Sequence, residues 1–163
     1  MIGYVGLILT TGLVIGFDND DLTIKDFVRL EGVWRFALVE VDGKKQPEVP
    51  FATNKMIITK DGSYIVIQAP RVTRGTLKLD SAKTPKHYDV TIATGRLKGL
   101  TFLGIYELEG DTLKVCFPLQ SKDRPTVLAS KPGSGLLVEV FQREKQDVKE
   151  AMTEARRLEQ ASP

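Results

Sequence analysis

At 163 residues, 42% of them hydrophobic and 27% charged, the chain is the size of one domain and long enough to bury a core without staples. Its 23 basic residues nearly balance 21 acidic ones, and a formal net charge of +2 leaves no electrostatic footprint for nucleic acid. One cysteine, Cys116, and one histidine, His87, exclude an intrachain disulfide framework, a cysteine-built zinc site and a histidine metal cluster, so no cofactor is expected.

Residues 2–17 are apolar apart from Tyr4, Thr10, Thr11 and interspersed glycines, and they end at Asp18-Asn19-Asp20-Asp21. The length suits an export signal or an N-terminal anchor, although it lacks a basic start and an Ala-x-Ala cleavage site. It also falls short of the ~20 residues that span a bilayer as a helix. Residues 1–19 are therefore expected to place the protein outside the cytoplasm, periplasmic, extracellular or membrane-anchored; the alternative is a packed N-terminal element in a cytoplasmic protein.

From residue 20 to 30, the spacing of Leu22, Phe27 and Leu30 predicts a short helix whose apolar side could plug a barrel. A strand over 32–41 puts Trp34, Phe36 and Leu38 on one face and ends at Asp42-Gly43. Pro47 and Pro50 make 44–54 a loop over one end of the sheet. A hairpin of 54–60 and 63–68 about Asp61-Gly62 pairs Ile58 with Ile65. Strands follow at 72–79 and 86–93, the second with Tyr88, Val90 and Ile92 on one face.

The strongest signal is the hairpin of residues 100–117. A turn at Gly110-Asp111 sets Glu107 opposite Lys114, Tyr106 opposite Val115, Leu108 opposite Leu113, and Gly104 opposite the Phe117 ring. The other face carries Leu103, Ile105 and Cys116 and needs a cover. Residues 118–135 form a long loop, the first place to look for a site, and 136–143 the last strand. A closing helix within 144–160, with Val148, Ala151, Met152, Ala155 and Leu158 in one stripe, is expected to cover the Leu103–Cys116 edge. Eight short strands with turn chemistry between them predict an all-β antiparallel barrel or sandwich.

Gly32-x-Trp34 and Arg143 look like the two ends of a lipocalin or calycin barrel, where a guanidinium lies on the indole face. The wider pattern is Leu30-x-Gly32-x-Trp34, Val41-Asp42-Gly43-Lys44, Gly75-x-x-x-Leu79-Asp80, Pro85-Lys86-x-x-Asp89, Gly104-Ile105-Tyr106-Glu107-Leu108-x-Gly110-Asp111-x-Leu113-x-x-Cys116, Arg124-Pro125, Ser130 and Gly133-x-Gly135. It resembles the uncharacterised lipocalin-like domain family abundant in planctomycete bacteria. Residues 20–143 are expected to form the eight-stranded antiparallel barrel and 144–163 a C-terminal helix and tail, and the resemblance implies that the barrel is of calycin type. It also implies frequent export signals and no established activity.

Candidate chemistry is sparse. His87 at a strand start is a capped or exposed residue or a general base, and none of the serines sits in a Gly-x-Ser-x-Gly elbow. Arg124, pre-set by Pro125, could hold a carboxylate or phosphate at a barrel mouth with Lys131, or make a structural ion pair. Trp34, Phe36, Phe102, Tyr106, Val115 and Phe117 could line a ligand cavity or fill the interior. The expectation is a non-enzymatic module binding a small apolar or amphipathic molecule, with no nucleic acid partner and membrane contact only through the N-terminal segment. One alternative is a structural or protein-interaction module of the cell envelope with a filled barrel; another is an enzyme in which Arg124 and His87 converge.

Overall fold

The computed structural model describes residues 19–47 and 53–161. The expected export signal or anchor at 1–19 therefore lies outside the described residues, apart from the start of the first helix. Among the described residues no helix is long and apolar enough to cross a membrane.

The chain opens with helix α1 (Asn19–Leu30) and continues through strands β1 (Gly32–Val41), β2 (Lys44–Lys45), β3 (Lys55–Ile58), β4 (Ser63–Gln68), β5 (Arg71–Asp80), β6 (Lys86–Ile92), β7 (Thr101–Glu109), β8 (Thr112–Pro118) and β9 (Leu136–Glu144). Helix α2 (Val148–Ala161) closes it. Each strand pairs antiparallel with the next in space, and β1 also pairs with β9. Eight strands thus close into an up-and-down barrel, with β2 a two-residue arm folded onto the end of β1. Inward apolar positions drive this, since most of them pack their side chains against the opposite wall.

One end is plugged. Leu30, at the C-terminus of α1, is fully buried among the inward residues, with Phe27 packed beside it. The Trp34 indole N–H donates to the Leu30 carbonyl at 2.9 Å, and the Arg143 guanidinium lies 4.1 Å from the indole ring centroid. Arg143 also donates to the carbonyls of Glu31, at 2.7 Å, and Arg29. Three carbonyls left without partners at the end of α1 are satisfied by side chains of β1 and β9, and a cation meets the negative end of the helix dipole. Gly32, at φ +148°, is what lets Arg143 in: a Cβ there would lie 2.5 Å from its Nη1.

Two register details depart from expectation. A bulge at Ala37 shifts the β1–β9 ladder between Phe36 and Leu38, so Trp34 and Phe36 face inward but Leu38 turns out and Val39 and Val41 take the inner face. The β3–β4 loop has three residues rather than two: Thr59 pairs with Ser63 and Gly62 takes φ +80°. Ile57, not Ile58, therefore faces Ile65, and Tyr64 points into the barrel. The 100–117 hairpin has its expected register throughout, and a Cβ at Gly104 would meet the Phe117 ring at 2.5 Å.

Outside the barrel the covers differ from expectation. The α2 stripe packs not on Ile105 and Cys116 but on Val33, Ile57, Ile65 and Ile67, where β1, β3 and β4 are apolar on both faces. Lys55 to Glu154 at 3.1 Å and Arg74 to Glu159 at 2.7 Å pin it there. The patch of Ile105, Cys116 and Val138 is covered instead by the 118–135 loop through Leu128.

Replacing Arg143 by alanine is expected to destabilise the fold by ~2–4 kcal/mol, because it uncaps α1 and exposes Trp34. Arg143→Lys should recover only part, lacking the planar fork. Denaturant unfolding followed by Trp34 emission, the chain's single tryptophan, measures both.

Candidate functional site

Inward residues fall into two zones. Toward the plug, Trp34, Phe36, Leu79, Tyr106, Leu113 and Phe141 are 5% exposed or less. Toward the other end, Val39, Phe102, Phe117, Leu137 and Glu139 occupy inward register positions yet remain partly accessible, and Gln68 at the mouth end of β4 is exposed; Tyr64, at the plug-side end of that strand, also keeps some exposure. The interior is thus tightest around Trp34 and Phe141 and more accessible in its mouth-side part, the cup. A hollow of about 760 Å³ straddles the rim beside β5 and β6, with Gln68, Arg71, Thr73 and Ile92 among its lining residues.

Glu139 is the singular group in the cup. On β9 it sits between Val39 of β1 and Val115 of β8, both on the inner face, while Val138 and Val140 point out. Among the described residues no cation pairs with its carboxylate and no group hydrogen-bonds to it. No fully buried side-chain polar atom among those residues lacks a partner, so the Glu139 oxygens keep some accessible surface. Enclosure by the barrel walls pushes its pKa up to about 7. Two phenols feel its charge. Burial raises Tyr64 and Tyr88, and the Glu139 carboxylate adds to both; Tyr88 also donates to the Met56 sulfur at 3.6 Å. Neither Glu139 nor Tyr64 stood out in the sequence. Leu137-x-Glu139-x-Phe141 carries the signal, an acidic residue in phase with two apolar ones, but Val138 and Val140 make both faces of β9 look alike.

The structure distributes the expected site residues over three places. Phe102 and Phe117 line the accessible part of the cup, and Val115 stands beside Glu139. Trp34, Phe36 and Tyr106 belong to the solid end, Phe36 edge-on to Phe141 with ring centroids 4.5 Å apart. Arg124 and Lys131 lie outside the barrel. Arg124 makes a two-pronged ion pair with Asp89 and donates to the Gly104 carbonyl at 2.6 Å, fixing the long loop to the outer wall. His87 is on that same wall; desolvation, then the Arg124 charge, lowers its pKa. A hollow of about 630 Å³ beside Arg124, Pro125 and Gly133 does not include His87 among its lining residues.

Tyr106 is bound into the plug. Its hydroxyl donates to Asp26 at 2.6 Å and meets the Ser81 hydroxyl at 2.8 Å, while Lys86 reaches Asp26 at 2.6 Å. Burial works against the Asp26 carboxylate, but hydrogen bonds from Lys86, Tyr106 and Ser81 outweigh it and hold the pKa below the usual range. Burial, then the bond to Asp26, raises that of Tyr106, the reverse of what a proton-donating phenol needs.

The glycine loop has a comparable role. Gly135 N–H donates to Asp42 at 2.8 Å, and this bond, with that from Gly133, holds the Asp42 carboxyl below its usual range. Gly43 N–H donates to Ser130 Oγ at 2.6 Å, and any Cβ at Gly43, φ +77°, would collide with Pro132. The 118–135 loop is thereby clasped to the β1–β2 turn.

Comparison with known proteins finds no matching family model, no similar curated protein and no similar solved structure. The site's own geometry is what bears on function.

Glu139→Gln is expected to stabilise the protein at pH 8. The folded carboxyl titrates near 7 and the unfolded one near 4.5, so the folded state binds more protons between those values and loses stability as pH rises through them, by up to ~3 kcal/mol. Equilibrium unfolding should show the gain full above pH 7 and absent below about pH 4.5.

Proposed function

We propose that this protein is a non-enzymatic, lipocalin-like binding module that takes one small apolar or amphipathic molecule into the open half of its barrel. The observation that carries this reading is the uneven burial of the inner wall: Trp34, Tyr106 and Phe141 are buried, whereas Val39, Phe102, Phe117 and Leu137 nearer the mouth keep some exposure. Eight-stranded barrels have room either for packed side chains or for one small ligand, and a concave apolar site with a few polar groups is the usual form of such a site. The Gly32-x-Trp34 and Arg143 arrangement supports the lipocalin-like part of the reading. Export or membrane anchoring through residues 1–19 belongs to the same proposal.

A second reading, a protein-interaction module of the envelope, is favoured by Ile24 and Val28, one turn apart on α1 and 60% and 62% exposed.

Native mass spectrometry of protein purified from its own host should show a retained small molecule. In vitro, n-octanol should shift the methyl resonances of Val39 and Val115, and Val39→Phe should weaken that binding at least about tenfold by narrowing the cup. A clean apo mass together with unmoved Val39 and Val115 signals would overturn the binding reading and leave the interaction module.

A further inference from the structure

Eight strands enclose the cup, and its charges can be taken wall by wall. Four described residues at inward register positions carry a full charge: Arg71, Lys86, Glu139 and Arg143. Lys86 is at the plug and bound to Asp26. Arg143 is at the plug too, spread over Trp34, two carbonyls and Asp111. Arg71 stands at the mouth end of β5, exposed. Inward positions of β1, β3, β4, β7 and β8 contribute apolar, aromatic or amide side chains and no cation. Glu139 is therefore a lone carboxylate partway down an aromatic-lined cup, with no counter-charge.

An arrangement of this kind is costly in the empty protein, because a partly desolvated carboxylate with no cation or protein donor is poorly compensated for the hydration it gives up. It becomes favourable when a cation enters. A protonated amine supplies the missing charge and up to three N–H donors. The faces of Phe102, Phe117 and Tyr64 attract a cation as well as an apolar body. A fatty-acid carboxylate fails on the same geometry, since it would bring like charge against like in a low dielectric.

We propose that the ligand of this barrel is an amine carried on an apolar or aromatic body, its ammonium seated against Glu139 and its body against Phe102 and Phe117. The inference rests on the reading of the cup as a binding site and names the chemical class that site selects. Occupancy follows the protonation of Glu139: the site captures the cation when the carboxyl is ionised and loses its preference when it is protonated. Tyr64 and Tyr88 stay protonated over the relevant range, Asp26 stays ionised, and His87 lies on the outer face of β6, opposite Ile105. Glu139 alone in the cup changes charge near neutrality.

The test uses the full chain and three probes of matched length, n-octylamine, n-octanol and n-octanoate, titrated by calorimetry and by the Val39 and Val115 methyl shifts. At pH 8.5 octylamine is expected to bind at least about tenfold more tightly than octanol, and octanoate more weakly than either. At pH 5.5 the amine is still charged, and its advantage should fall to within about threefold. In Glu139→Gln the amine and the alcohol should bind alike at both pH values. An amine no better than the alcohol at pH 8.5, or an advantage that survives in Glu139→Gln, overturns this inference while octanol binding keeps the cup a binding site. If none of the three moves Val39 and Val115, both fall. Should Glu139→Gln not fold, the two pH arms on the native protein decide alone.

Discussion

The junction of Arg143 with Trp34 and the end of α1 is the constraint on which the rest of the architecture depends. It joins the first strand, the last strand and the plug helix at one point, through a cation on an indole face and hydrogen bonds to the helix-terminal carbonyls. A barrel needs its first and last strands in one register; this contact fixes that register at the plug. Ala37 then changes it by one residue partway along, and everything toward the mouth follows from the new phase. Without that bulge Leu38 and Glu40 would face inward in place of Val39 and Val41. The cup would then hold a second carboxylate.

The motif residues make a coherent set once placed. Gly32, Trp34 and Arg143 close the plug; Lys86 and Tyr106 bind Asp26; Asp89 and Arg124 fix the long loop to the wall; Asp42, Gly43, Ser130, Gly133 and Gly135 clasp it to the β1–β2 turn. All of these hold loops and ends in place around the barrel. Glu139, the group with unused binding capacity, belongs to none of them. The division makes physical sense: closing a barrel imposes fixed geometry on its rims, whereas the interior wall needs only bulk and can vary its chemistry.

The fold was legible because its signals were local. The turn at Gly110-Asp111 and the alternation beside it set the whole 100–117 hairpin, and β1 and β9 could be bounded from Gly32 and Arg143. What escaped were features decided by a single residue of register. Asp61-Gly62 reads as a two-residue turn, yet Lys60 joins the loop, and that slip turns Tyr64 inward. The two-sided apolar runs Met56-Ile57-Ile58 and Ile65-Val66-Ile67 already implied a cover on β3 and β4, which is where α2 docks; the Ile105–Cys116 patch drew that expectation away. The mouth of the cup was not readable because its residues come from five strands, and neighbourhood across a closed sheet leaves no trace in spacing along the chain.

Barrel closure has one more consequence, for how the protein meets other chains. In the described sheet every long strand has neighbours on both sides, and the one strand with a neighbour on one side only is β2. It is two residues long, and both are lysines, Lys44 and Lys45. A foreign strand seeking to extend this sheet would find an edge too short to template it and charged at each position. Within the described sheet, contacts with other molecules are thereby left to side chains, helix faces and the mouth of the cup, not to a long strand edge.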